Sequence, residues 1–318
     1  MSAPVSAPSP LLGAILAGSV AGGVFLLPRL GGSVPALALP LAIAGLLSAV
    51  PLLAVRIGGG VAHSLLAVVT AFVLLVITDS PATAISFVIL FGAWALAGGE
   101  ALSRKKSVIL AGITGFAVLA LEALMVSFAG GAAMVETTLN SPQVQKAFDQ
   151  WAAQAPLPPG EAKEAVEQIR GGILVLHPAL FVVSAAVIVS LNMMAVARMV
   201  QLNPSSAFPR HELLFLRWPL ALVASFVASG ALLLVPALRS VAWNGLVVTM
   251  FLFLLQGLSV MCFGLTRLFA SELMRALLVM AMLLGPWAIL LSLLGLFDQW
   301  FDFRNRLAGS EAPPAPGN

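Results

Sequence analysis

Six polar side chains interrupt stretches of this sequence that are otherwise apolar, and any chemistry would rest on them: Glu122, His177, Asn192, Asn244, Gln256 and Ser259. Glu122 is the only acidic residue deep in an apolar run. A carboxyl in hydrocarbon costs a few kcal/mol, about 3 on insertion scales, so it faces a polar cavity, finds a partner or takes up a proton. Its place about seven residues before the end of its segment leaves snorkelling to the interface as an equal alternative. Gln256 and Ser259 share a helix face at i, i+3, with Asn244 more than three turns earlier on the same segment. With Glu122 and Asn192 they would line a ligand cavity. The other reading is hydrogen bonding between helices, because polar groups in lipid must find partners.

The C-terminal stretch LGLFDQWFDFRNR carries a second set. Asp298, Asp302 and Arg306 fall at i, i+4, i+8, so an Asp302 to Arg306 pair is expected, with Trp300 under Arg304. Such a charged and aromatic collar anchors a helix at the membrane interface. Two aspartates four apart would also suit a divalent cation, but the adjacent arginines favour ion pairing, and no metal site is expected. No GxxxxGK[ST], HExxH or GxSxG motif occurs, and the sequence has one cysteine (Cys262), three histidines and no tyrosine. The sequence therefore implies no catalytic residues, no cofactor and no enzyme activity.

These residues must be positioned by membrane helices. Of 318 residues 60% are apolar and 9% charged, and the mean hydropathy is +1.04, too little polar surface for a water-soluble globule of this length. Several windows lack charge, and unbroken Leu/Ala/Val runs are helical rather than alternating. The expected fold is all-α, a polytopic transmembrane bundle of about eight or nine helices. Its 16 Lys and Arg are scattered between the apolar segments, which fits membrane topology and gives no nucleic-acid surface.

Along the chain, a disordered stretch 1–10 precedes a block of about five helices at 11–129. Within it, one segment ends at Arg56 and Gly58–Gly60 and the next starts at Val61. An extramembrane amphipathic loop follows at 130–171, with Val144, Phe148 and Trp151 on one face of a surface helix and a second short helix at about 161–170. A block of about four helices spans 172–297, including a segment from Trp218 to about Leu238, and an amphipathic anchor and disordered tail complete 298–318. Pro178, inside the segment from Gly172, frees backbone carbonyls for a neighbouring group. In the first segment Ala14, Ala17, Gly18, Ala21 and Gly22 make a small-residue stripe that either docks a partner subunit or packs another helix of the same chain.

Three features together resemble the YybS-like family of bacterial polytopic membrane proteins: Pro51 with Val55-Arg56-Ile57-Gly58, the FLLQGLSV of Phe253–Val260, and the closing Leu294–Arg306. That family is similar to the substrate-binding components of energy-coupling-factor transporters, whose docking stripe the first segment resembles. The resemblance implies a multi-pass protein of the bacterial inner membrane, in contact with the lipid bilayer, that binds an unidentified small molecule beside a coupling subunit. The alternative is a non-transporting membrane interaction or assembly protein.

Overall fold

The computed structural model describes residues 9–30, 38–105, 107–202, 212–269, 271–283 and 286–308, and its regular elements there are all helical. The first 8 residues, the Gly31-Gly32 turn, Lys106, Arg210 and the tail from 309 lie outside the described residues. Helices Pro10–Leu30 (α1), Ala38–Leu46 (α2) and Ala49–Thr78 (α3) come first. Pro81–Phe87 (α4) runs through a π-helical turn into Ala93–Glu100 (α5), and Val108–Val126 (α6) through another into Ala132–Leu139 (α7). Then come Pro142–Gln154 (α8), Pro159–Leu202 (α9), Ala221–Leu232 (α10), Arg239–Leu268 (α11), Glu272–Leu283 (α12), Trp287–Phe301 (α13) and Phe303–Ala308 (α14).

Among the described residues six helical runs are long and apolar enough to cross a membrane, seven if the bent pair α12 and α13 is one span, and α10 is a shorter apolar helix. That is close to the expected eight or nine, and the difference has physical causes. At Arg56 and Gly58–Gly60 the expected break is present as a kink: Gly60 takes the non-helical φ 78°, which glycine adopts freely, so two helices meet there, yet the run continues as one candidate span and does not end. Gly171 and Gly172 do not stop α9 either. Each costs a helix about 1 kcal/mol relative to alanine, too little to break 44 residues, so the expected short helix and the following span are one element. The segment expected from Trp218 to Leu238 keeps only the 12 residues of α10 as α-helix.

Packing sorts these helices into two compact units that are not consecutive in sequence: Met1–Glu122 with Ser184–Leu213, and Ala123–Val183 with Leu214–Asn318. In the first unit α1 lies on α3 through the small-residue stripe. Ala14, Gly18, Ala21 and Gly22 are buried and Ala17 is half-buried. A Cβ at Gly18 would collide with the Ala67 carbonyl oxygen, and one at Gly22 would come within 3.2 Å of the Leu74 side chain. Of the two readings of the stripe the structure shows packing within the chain: close backbone approach is used between α1 and α3, and Leu11, Leu12, Ile15, Leu16 and Val20 form the exposed side of α1. Phe25 meets Phe87 and Phe91 edge-on, and Trp94 is wholly buried in the same core.

In the second unit α11 crosses α13 where Gly257 faces Leu291 and Gly295 faces Phe253, so backbone meets backbone. Helix α8 folds as a hairpin on the first turns of α9. Phe148 does not lie free on a surface helix but lines a cleft of about 450 Å3 with Ala152, Ala162, Val166 and Glu167, while Trp151 is exposed.

Candidate functional site

Pro219 and its neighbours keep Leu216–Pro219 out of any helix, so the backbone groups of this stretch need partners from elsewhere. Side chains of α11, α13 and α14 supply them. Gln256 Oε1 accepts from Trp218 N at 3.0 Å, Gln299 Nε2 donates to Trp218 O at 2.9 Å, and Arg304 Nη2 donates to Leu216 O at 2.8 Å. Trp218 Nε1 donates to Leu252 O at 2.8 Å. Irregular backbone at membrane depth persists only where protein satisfies it in this way.

The charges of this cluster are buried. Asp298 is 1% exposed; its Oδ2 accepts from Gln256 Nε2 at 3.1 Å and lies 3.4 Å from Arg304 Nη1, while Oδ1 accepts from Phe303 N at 3.1 Å. Arg304 is 6% exposed and also donates to Ser259 Oγ at 3.3 Å. Burial pulls the Arg304 guanidinium below the usual arginine value, and Asp298 pushes it back up. Asp302 ends α13 at φ 43°, a left-handed turn that redirects the chain into α14. That turn overturns the expected pairings. Arg304 reaches Asp298 instead of covering Trp300, which is exposed. Asp302 lies 3.8 Å from Arg217, and Arg306 sits over the Phe301 ring at 5.5 Å. Only the outer half of the collar, Trp300 and Arg306, lies at the surface.

Asn244 repairs α9. Pro178 has no N–H and its ring crowds the turn before it, so two rungs fail. Asn244 enters the second, accepting from Ala179 N at 2.8 Å and donating to Val175 O at 2.9 Å. Leu174 O, left by the missing proline N–H, lies 2.7 Å from His177 Nδ1, which must be the donor because a carbonyl only accepts. The amides of Asn244 and Gln256 and the hydroxyl of Ser259 therefore serve the protein's own helices.

Glu122 and Asn192 differ. On α6 the buried positions Val108, Ala111, Gly115 and Leu119 continue, at helical spacing, into Glu122, which is half-buried. Its Oε2 is buried with no hydrogen-bond partner among the described residues. Asn192, wholly buried on α9, donates through Nδ2 to Leu46 O at 2.7 Å and Ile188 O at 2.8 Å, leaving Oδ1 unpartnered. Ser64 Oγ and Trp94 Nε1, which nothing in the sequence marked, are in the same condition. Helix contacts bring two of these groups, Trp94 and Asn192, to neighbouring turns of α6, while Asn192, bonded to Leu46 O about 27 Å before Ser64 along one helical run, lies far from Ser64. Gly115 faces Trp94, and Gly112, a turn away, faces Met193 beside Asn192. Val68 faces Gly92 and Arg56 faces Gly99, so Ser64 on α3 falls opposite Trp94 on α5. Glu122 lies two turns along α6, its side chain tilted back toward Gly115. At one end of this interior Arg56, also missed as a partner, is buried and pairs with Glu100, which also pairs with Arg104.

The sequence model of one family, described as a predicted membrane protein and designated DUF2232, matches residues 24–299. The chain belongs to this family. No curated protein and no solved structure matches it. Within a DUF2232 member, then, FLLQGLSV and the closing DQWFDFRNR meet as one buried network around Leu216–Pro219, where Arg304 Nε is left without a partner among the described residues, while the other such polar atoms lie in the first unit.

Proposed function

We propose that this membrane protein is a transporter-like bundle of the bacterial inner membrane that binds a small solute within its first unit, and that it performs no catalysis. The observation that carries the reading is the group of inward polar atoms without protein partners, Ser64 Oγ, Trp94 Nε1, Asn192 Oδ1 and Glu122 Oε2. A buried donor or acceptor left unpaired costs about 1–3 kcal/mol, and more in lipid, so these four, with Arg56 Nε a fifth in the same unit, call for something from outside the chain to complete them. Trp94 Nε1 donates and Asn192 Oδ1 accepts, both beside the Gly112–Gly115 face of α6, which suits a small polar molecule with both kinds of group. The resemblance to the YybS-like family and to substrate-binding components of energy-coupling-factor transporters agrees with this reading. A coupling subunit, if used, docks elsewhere than on the small-residue face of α1.

The test is mass spectrometry of small molecules retained by the mildly solubilised protein. The wild type and the surface control Glu136→Gln are expected to retain the same solute, and Asn192→Leu and Trp94→Phe to lose it. A wild type that retains nothing in nanodiscs overturns the reading in favour of the rival, an assembly protein whose polar residues serve packing. The amides of Asn244 and Gln256, used up between helices, are the observation on the rival's side.

A further inference from the structure

We propose that Glu122 is a proton-exchange site, so that the solute site of the first unit is proton-linked. This rests on the solute-binding reading and adds the cation that goes with it. Glu122 carries the one formal charge on the inward stripe of α6, and its buried Oε2 meets no donor or cation among the described residues.

The charged and titratable groups on the elements around α6 are otherwise engaged or distant. Arg56 of α3 and Arg104, next to α5, both pair with Glu100. Nδ1 of His63 on α3 lies against Gly59 O, and Arg29 of α1 pairs with Asp79. On α9, the Gly112 to Met193 contact sets Arg198 opposite the start of α6, about 20 Å along the axis from Glu122 at 1.5 Å per residue. His177, in the part of α9 that belongs to the second unit, faces Gly131 and uses Nδ1 on Leu174 O.

The charge of an ionised Glu122 must therefore be matched by something mobile. A divalent cation takes about six oxygen ligands, and one inward carboxylate oxygen cannot supply them. A proton needs a single oxygen. Once protonated, the carboxyl becomes a donor, so the same side chain offers the solute an acceptor in one state and a donor in the other. Solute binding in the first unit thereby depends on the proton, and by linkage the proton depends on the solute.

The experiment counts protons on the purified full-length chain in lightly buffered detergent with an indicator dye. On a downward pH step that stops above the ordinary carboxylate range the wild type is expected to take up more protons per chain than Glu122→Gln, and Glu272→Gln, on α12, to match the wild type. Glu122→Asp, which keeps the carboxyl, is expected to restore the uptake, separating loss of the acid from loss of the fold. Equal uptake by wild type and Glu122→Gln overturns the proposal. The count requires no solute, so a chain that retains none still passes or fails it, and the two readings fail separately.

Discussion

Asp298 and Arg304 face one another across the left-handed turn at Asp302, 3.4 Å apart from Oδ2 to Nη1, with both side chains almost wholly buried. Neither charge is isolated: Gln256 and Phe303 N donate to the carboxylate, and the guanidinium donates to Leu216 O and Ser259. Desolvating two charges is offset only when such extra bonds are present.

Removing one partner leaves the other buried and uncompensated, which typically costs about 3–5 kcal/mol. Asp298→Ala and Arg304→Ala are each expected to lower thermal stability in detergent sharply. The double replacement Asp298→Leu/Arg304→Met is expected to recover much of the loss. A double variant as unstable as the sum of the singles would show that the bonds to Gln256 and Leu216, rather than the ion pair, hold the junction.

The Asn244 insertion predicts a coupling with Pro178. Asn244→Leu strands Ala179 N–H and Val175 C=O and should cost about 1–3 kcal/mol. With Pro178→Ala, α9 regains its own donor and its regular rungs, so the same Asn244→Leu should cost much less. A double-mutant cycle on unfolding free energy measures the coupling, and additivity would contradict the rung-repair account.

The sequence made some of this legible. The shared face of Gln256 and Ser259 follows from helical periodicity, and Pro178 announced that α9 would need a neighbour. What was not legible was which groups meet across the bundle. Spacing of i, i+4 pairs Asp302 with Arg306 only if the helix continues, and the turn at φ 43° on a non-glycine residue has no sequence signature. That one turn moves Arg304 into the core. Ser64 and Trp94 escaped notice because a serine and a tryptophan in an apolar run usually find partners, and only coordinates reveal that theirs are absent among the described residues. The small stripe of α1 was legible as a close contact, but periodicity does not say whether the other side is α3 or a separate chain.

That last distinction is measurable. Gly18→Leu would force bulk into the Ala67 backbone, whereas Gly23, on another face of α1, has no atom within 4 Å of a built Cβ. Overpacking costs about 1–3 kcal/mol where neighbours can shift and more where backbone is met. Gly18→Leu is expected to lower the stability of the purified single chain, with Gly23→Leu near wild type. Unchanged stability in both would return the stripe to a partner.

The α11 to α13 crossing is the most stringent of these contacts. Added Cβ atoms at Gly257 and Gly295 would press on the opposite helix's backbone, at Leu291 O and Phe253 O, where no side-chain rotation gives relief. Even alanine must push the helices apart, and with them Gln256 and Asp298, which bond across the same pair. Gly257→Ala and Gly295→Ala are therefore expected to lose folded protein in detergent by size exclusion. Gly230→Ala on α10, where a Cβ meets nothing within 4 Å, should leave it intact or gain up to about 1 kcal/mol from the better helix former. Cysteines replacing Leu291 and Leu254, read by crosslinking yield in the Gly257→Ala background, would report whether the separation of α11 and α13 is the cause.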